Sequence, residues 1–156
     1  MGMALKLQQY LDAQGIAYDL TKHARTATAA QTAHASHISG HCLAKGVVLK
    51  RKDGYVLAVV PASRQVELDA VGRTLNRPIS MATEEEIATL FPDCEIGAIP
   101  PIGAAYGLET IVDDAFEKVS DIYFEAGDHR SLVHISDREF HALMKDCQHC
   151  HITGMA

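Results

Sequence analysis

Apolar residues at helical spacing open the chain. Met3, Leu7 and Leu11 would share one face of a helix and Gly15 follows them as a stop signal, so an amphipathic helix of about three turns is predicted. Capping residues and stop signals predict further helices: an Ala-rich one capped by Thr28 and Gln31 and ended by Gly40, one over 69–76, one from Thr83 with Glu86 to Phe91, and one from Ser136 with Glu139. Helices are therefore expected along the whole chain.

Alternating and β-branched runs predict the strands between these helices. The segments VVLKR and YVLAVVP flank an Asp53-Gly54 turn, which is a strong hairpin signal. Further strands are predicted over 16–20, over 78–81 and in the runs LETIVD, DIYFEAG and SLVHIS. Because strands outnumber helices and include a clear hairpin, we expect an α/β (α+β) fold with a mixed, largely antiparallel sheet and surrounding helices.

Length and composition fit one domain over 1–156, with a core at about 4–145 and a flexible tail at 146–156. A chain of 156 residues with 47% hydrophobic residues can bury a core without disulfides or metal, so the four cysteines are read as reduced thiols. No stretch approaches the roughly 20 apolar residues of a membrane helix, and the first residues do not resemble a secretory signal. A soluble, cytoplasmic protein with no membrane partner is expected.

The charge balance narrows the class of partner. A formal net charge of −6 argues against a general nucleic-acid coat protein, because phosphate binding relies on clustered Lys and Arg, and no DNA partner is expected. It does not exclude a protein that touches only the end of a tRNA through a local basic rim. Half of the 14 basic residues fall in one stretch, which is either such a rim or a set of solvated strand ends and a solvated helix face: Lys45, Lys50, Arg51, Lys52, Arg64, Arg73 and Arg77.

Two local features of the sequence are candidates for catalysis or ligand binding. Lys45 stands where the first hairpin strand begins, and there it could hold an anionic or ester oxygen or simply be a solvated lysine. The segment 97–103, GAIPPIG, has glycines at both ends and adjacent Pro100 and Pro101 in the middle, which makes it a stiff loop. Such a loop could present backbone N–H groups to an ester or a nucleoside, or serve as a connector between strands.

In their order along the chain these features resemble the YbaK / prolyl-tRNA-synthetase-associated family. The resemblance runs from about Leu5 to about Met144 and rests on the segments AKGVVLK, VLAVVPAS, GAIPPIG, IVDD and FEAGDHRSL. It implies a mixed α/β editing fold and a free-standing aminoacyl-tRNA deacylase, a trans-editing hydrolase that cleaves the ester at the terminal adenosine of mischarged tRNA. In that family the ribose hydroxyl beside the ester is thought to help activate water, which removes the need for a catalytic triad.

The resemblance also implies the site. Lys45 would be catalytic, no cofactor or metal is expected, and the substrate would be bound by Gly97, Ala98, Ile99, Pro100, Pro101, Gly103 and His129. Ala98 and Pro100 replace the glycine and serine common in the family's loop, so no member's amino-acid preference is transferred. The stiff prolines instead predict a small aminoacyl group. The partners would be the acceptor end of mischarged tRNA and, as an open alternative, an aminoacyl-tRNA synthetase.

Other readings of the sequence remain. The segment 147–151, CQHCH, spells the pattern of c-type haem attachment, and it could alternatively bind metal or form part of a frayed tail. His34, His37 and His41 are spaced like metal ligands, although Gly40 should end the helix before the third aligns. The same fold could also be a non-catalytic module that recognises an aminoacylated nucleotide or a protein partner.

Overall fold

The computed structural model describes residues 2–23 and 29–155. The α-helices are α1 (Leu5–Ala13), α2 (Ala29–Ala35), α3 (Leu68–Leu75), α4 (Glu84–Leu90) and α5 (Asp137–Leu143). The strands are β1 (Asp19–Lys22), β2 (Leu43–Arg51), β3 (Gly54–Pro61), β4 (Arg64–Val66), β5 (Ser80–Met81), β6 (Glu109–Asp113), β7 (Asp121–Glu125), β8 (Ser131–Ser136), β9 (Gln148–Cys150) and β10 (Thr153–Met155). Short 3-10 helices cover Gly103–Tyr106 and Asp114–Lys118.

The main sheet is mixed, as predicted. Its strands lie in the order β1-β8-β7-β2-β3-β6-β9, and β5 pairs with β2. Four neighbours pair antiparallel (β1 with β8, β8 with β7, β2 with β3, β2 with β5), whereas β7 with β2, β3 with β6, and β6 with β9 are parallel. The parallel pairs join segments that are distant in sequence, and they place the end of β7 beside the start of β2.

The central strand β3 organises the core. All side chains over 56–60 are buried, and they alternate between two hydrophobic clusters because successive residues of a strand point to opposite faces. One face packs against α1, α5 and the 97–103 loop, and the other packs against α3 and Ile152. A near-continuous apolar run is typical of a strand that is covered on both sides.

Local sequence signals account for several elements. The predicted hairpin is confirmed, since β2 and β3 pair antiparallel from Ala44–Pro61 to Arg51–Gly54. The predicted capping box is also confirmed: Thr83 Oγ1 accepts from the Glu86 N–H at 3.1 Å, and Glu86 Oε1 accepts from the Thr83 N–H at 2.9 Å. Each of these signals lies within a few residues, so no distant contact is needed to read it.

Two predicted elements differ in extent. The strand predicted over 16–20 begins at Asp19, and all four residues of β1 are exposed because this strand lies at the edge of the sheet and pairs only with β8. The second helix ends at Ala35 rather than near Gly40, since His37 adopts a left-handed conformation with φ of 56°. Its predicted cap, Thr28, lies outside the described residues.

The expectation of a flexible tail over 146–156 is wrong for the part of it that the structure describes. β9 pairs in parallel with β6, and β10 pairs with β4 in a separate two-stranded sheet. The carboxylate of Asp113 accepts hydrogen bonds from the Ile152 N–H at 2.9 Å and from Thr153 Oγ1 at 3.1 Å, and the Ile152 side chain is fully buried. These long-range contacts hold the segment against the domain, and no local pattern reveals them.

Candidate functional site

A cavity of about 250 Å³ opens where β2 and β7 lie side by side. The parallel pairing of these strands ends at Ala44 and Phe124, and the next residues, Lys45 and Glu125, both line the cavity. The remaining lining residues that the structure describes are small or apolar: Ala29, Leu43, Ala44, Gly46, Val47, Val48, Met81, Ile87, Gly97 and Ile99. The cavity therefore combines apolar walls with two groups of opposite charge, a composition that is typical of a small-molecule binding site.

Lys45 is half-buried at this cavity. Burial lowers the pKa of its ammonium group, because removal from water disfavours the charged form. Within the described ranges, no carboxylate lies at ion-pair distance from the Lys45 ammonium, and no described side chain accepts a hydrogen bond from it. A partly desolvated cation of this kind is suited to an oxygen atom of a ligand, so the structure puts the predicted catalytic lysine at a cavity.

The predicted loop forms a second wall of the same cavity. Gly97, with φ of 86°, and Ile99 line it, whereas Ala98 is fully buried behind the wall and Pro100 and Pro101 are buried too. Lys45 and two of the predicted loop residues, Gly97 and Ile99, therefore line the same cavity. Ala98, Pro100 and Pro101 do not line the cavity; they are buried and support the loop from behind.

Glycine at position 46 lets this loop pack directly against β2. A Cβ atom added at Gly46 would lie 3.0 Å from Leu57 Cδ1 and 3.4 Å from the Cα atom of Pro101. Gly103 has a similar role at the other end of the loop, where it starts a 3-10 helix and packs against Thr110. Gly103 therefore shapes the loop from outside the cavity wall rather than lining it.

His129 lies behind the cavity wall, which corrects its predicted place in the lining. It occupies the turn between β7 and β8 with φ of 59°, and its Nε2 donates to the Ile96 carbonyl at 2.5 Å. Its Nδ1 faces Glu125 Oε2 at 3.8 Å, and the side chain is buried. The tight turn points the imidazole toward the start of the 97–103 loop, so His129 positions this loop and contacts Glu125.

Glu125 is the site residue that the sequence analysis missed. Its side chain is buried, with Oε1 accepting from His23 Nε2 at 3.1 Å and Oε2 accepting from Thr32 Oγ1 at 3.4 Å. Desolvation raises the pKa of Glu125, and the nearby His23 counteracts only part of that rise. The one sequence signal for Glu125 was a glutamate at the end of the apolar strand DIYFE. A charged side chain that is buried there is unfavourable unless it has partners or a function.

The alternative metal sites lie elsewhere. Among the described residues, one group of ligand-type side chains comes together at the ends of β6 and β9: Asp113, Asp114 and His151, none of which lines the cavity. Asp113 already accepts hydrogen bonds from the tail, so its carboxylate has a structural role. The predicted trio of His34, His37 and His41 is not brought together in the described part of the chain. Nor does any described helix have the length and apolarity to cross a membrane.

Several solved structures share this fold. A scaffold protein designed to present epitopes by backbone grafting is 22% identical, with a TM-score of 0.85 and 97% of each chain covered. The hypothetical protein APE2540 is 19% identical, with a TM-score of 0.84 and 96% and 99% of the two chains covered. A candidate trans-editing enzyme for prolyl-tRNA synthetase is 24% identical, with a TM-score of 0.85 and 97% and 96% covered. These likenesses extend over nearly the whole chain and show a shared fold.

The family follows from the sequence itself. No curated protein matches the chain. The family model for the aminoacyl-tRNA editing domain matches residues 23–143, a segment that contains both strands of the cavity and the 97–103 loop. Since this match covers well over half of the 156 residues, the chain belongs to the aminoacyl-tRNA editing domain family, as its resemblance to YbaK proteins predicted.

Proposed function

We propose that this protein is a trans-editing hydrolase that deacylates mischarged aminoacyl-tRNA carrying a small amino acid. The observation that carries the proposal is Lys45, a half-buried cation with no described counter-ion at the wall of a small apolar cavity. An aminoacyl ester fits such a site, because its carbonyl oxygen can accept from the lysine while its side chain occupies the apolar part. Membership of the editing-domain family supports the same reaction class.

The proposed reaction is a hydrolysis in which Lys45 stabilises charge on the ester. Water attacks the acyl carbon, the bond from that carbon to the ribose oxygen breaks, and the ribose oxygen leaves with a proton. The adjacent ribose hydroxyl takes part in activating the water, so the protein need not supply a strong base. The ammonium of Lys45 donates to the carbonyl oxygen as negative charge develops there, or holds the terminal nucleotide in place for attack.

The walls of the cavity support a preference for small aminoacyl groups. At about 250 Å³ the cavity lies below the range of about 300 to 1,000 Å³ that is common for drug-sized ligands. Ile99 and Gly97 face it from a loop whose Pro100 and Pro101 are buried and fix the backbone. A wall of this kind resists displacement, so alanyl, seryl and cysteinyl esters would enter while phenylalanyl and leucyl esters would be excluded.

A deacylation assay on a panel of mischarged tRNAs tests the proposal. The wild-type protein should release small amino acids, and Lys45→Ala should lower the rate by about 10²- to 10³-fold with an unchanged fold. Lys145→Ala is the matched control, because Lys145 is an exposed lysine that lies outside the basic stretch named above. A folded Lys45→Ala protein with wild-type turnover removes this lysine from the mechanism.

The panel also tests the other parts of the proposal. Equal hydrolysis of phenylalanyl-tRNA and alanyl-tRNA would contradict size exclusion by the loop. Tight binding of aminoacylated tRNA without release of the amino acid would instead identify a non-catalytic recognition module. We further propose that the protein acts in the cytoplasm and binds the acceptor end of tRNA. Co-elution with an aminoacyl-tRNA synthetase during gel filtration tests whether the enzyme also docks on a synthetase.

A further inference from the structure

Glu125 stands in the cavity without a role in the proposed hydrolysis. It is 6% exposed and is the one carboxylate among the described residues that line the cavity. Its strand neighbours Ile122 and Phe124 belong to the hydrophobic core, so the charge is held at the point where the core meets the cavity. Burying a carboxylate costs free energy unless its partners compensate for the lost hydration. The buried position of Glu125 therefore suggests that this side chain has a function.

Glu125 lines the cavity although its carboxylate has partners in the protein. His23 and Thr32 each donate to one of its oxygens, and His129 Nδ1 lies 3.8 Å from Oε2. Even with these neighbours the pKa of Glu125 is raised by desolvation, which means that the charged form remains poorly solvated. A cationic group entering the cavity would supply the missing compensation.

The position of Glu125 relative to Lys45 suggests which cation enters. The last paired residues of β2 and β7 are Ala44 and Phe124, so Lys45 and Glu125 occupy equivalent places on neighbouring strands. The two side chains line the same cavity, yet no ion pair joins them among the described contacts. A ligand that carries an electron-rich oxygen next to a cation would satisfy both groups at once.

We propose that Glu125 binds the α-ammonium group of the aminoacyl ester. The inference rests on the proposed function for its class of ligand. In an α-aminoacyl ester the ammonium group is attached to the carbon beside the carbonyl. The carbonyl oxygen would therefore contact Lys45 while the ammonium nitrogen contacts Glu125. The cavity thereby selects esters of free α-amino acids over esters of α-hydroxy acids and over N-acylated aminoacyl groups, which lack the positive charge.

Binding of two non-hydrolysable analogues of the tRNA end tests this role. 3′-Deoxy-3′-(L-alanylamino)adenosine carries the ammonium, and its L-lactylamino counterpart carries a hydroxyl in the same place. Wild-type protein should bind the alanyl compound about 10- to 100-fold more tightly in calorimetry, the factor expected for one hydrogen bond to a charged group. Glu125→Gln keeps the shape of the side chain, and it should lose this preference while binding the lactyl compound as the wild type does.

The control variant is Glu109→Gln, which makes the same change at a half-exposed glutamate that pairs with Arg51 away from the cavity. It should keep the wild-type preference. If Glu125→Gln does not fold, Glu125→Asp keeps the charge one methylene further away, and it should retain only part of the preference. Wild-type protein that binds the two compounds equally, or binds neither, overturns the proposal. An equal loss of both ligands in folded Glu125→Gln also overturns it, because that result indicates a structural role.

Turnover of alanyl-tRNA and lactyl-tRNA, measured in parallel, separates the two hypotheses. Hydrolysis of both at equal rates, together with equal binding of the analogues, keeps the deacylase function and rejects the role of Glu125. A clear preference for the alanyl analogue without turnover of any mischarged tRNA supports the ammonium site and rejects the hydrolysis.

Discussion

Gly46→Ala should disturb the contact between β2 and the 97–103 loop. The new methyl group would lie 3.0 Å from Leu57 Cδ1, 3.4 Å from the Pro101 Cα atom and 3.7 Å from Ile99 Cδ1. Leu57 is fully buried, so its methyl group has little room to move away, and the backbone at Pro101 is stiff. A shift of a few tenths of an ångström between strand and loop is therefore expected.

The energetic effect combines two opposing contributions. Overpacking a core typically costs about 1 to 3 kcal/mol, whereas replacing glycine inside a strand returns roughly 0.5 to 1 kcal/mol. The free energy of unfolding should thus fall, by up to about 2.5 kcal/mol. The deacylation rate should fall as well, by less than the roughly 10²-fold that a displacement of about 1 Å in a positioning element can cost, because the expected shift is smaller.

Urea denaturation and deacylation of alanyl-tRNA measure these two effects separately. Gly2→Ala is the control, since a methyl group there meets no atom within 4 Å. A Gly46→Ala protein that matches the wild type in both stability and kcat/KM would show that the loop does not press on β2. A loss of stability without loss of activity would separate this packing contact from the cavity.

Two further predictions concern the rest of the fold. Ile152→Ala should lower the free energy of unfolding by about 2 to 5 kcal/mol, because Ile152 is fully buried against the face of β3 that α3 covers; an unchanged urea midpoint would contradict this. The hydrogen bond from Tyr55 and the capping contact of Thr83 lower the pKa of Glu86 from 4.5 to about 2, so its stabilising effect is present above pH 4.5 and is lost as the pH falls toward 2. Glu86→Gln should accordingly flatten the pH dependence of the melting temperature between about pH 5 and pH 2, and identical acid profiles would refute the assignment.

Local chemistry made much of the fold predictable. The turn at Asp53-Gly54 and the capping pair of Thr83 and Glu86 are short-range signals, and both specify what the structure contains. The strands β9 and β10 escaped prediction because each has three residues without a clear apolar alternation. Their stability comes from the distant carboxylate of Asp113 and from a core that accepts Ile152.

The candidate site was predictable only in part for the same physical reason. Lys45 and the 97–103 loop are unusual within their own segments, and both reach the cavity. The position of Glu125 beside Lys45 depends on the parallel pairing of β2 with β7, and no local sequence signal predicts that pairing. His129 illustrates the reverse case, since a turn histidine looks available in the sequence, while its positive φ directs the ring toward Ile96.

The parallel contact between β2 and β7 also bears on how the domain folds. The hairpin of β2 and β3 can form early because its turn is short, but β7 joins it only after a long loop of chain has closed. We therefore expect the cavity walls to assemble after the hairpin, and partial unfolding that frees β7 to remove the cavity while the hairpin remains. Amide hydrogen exchange near Glu125 should consequently slow when a ligand bridges the two strands.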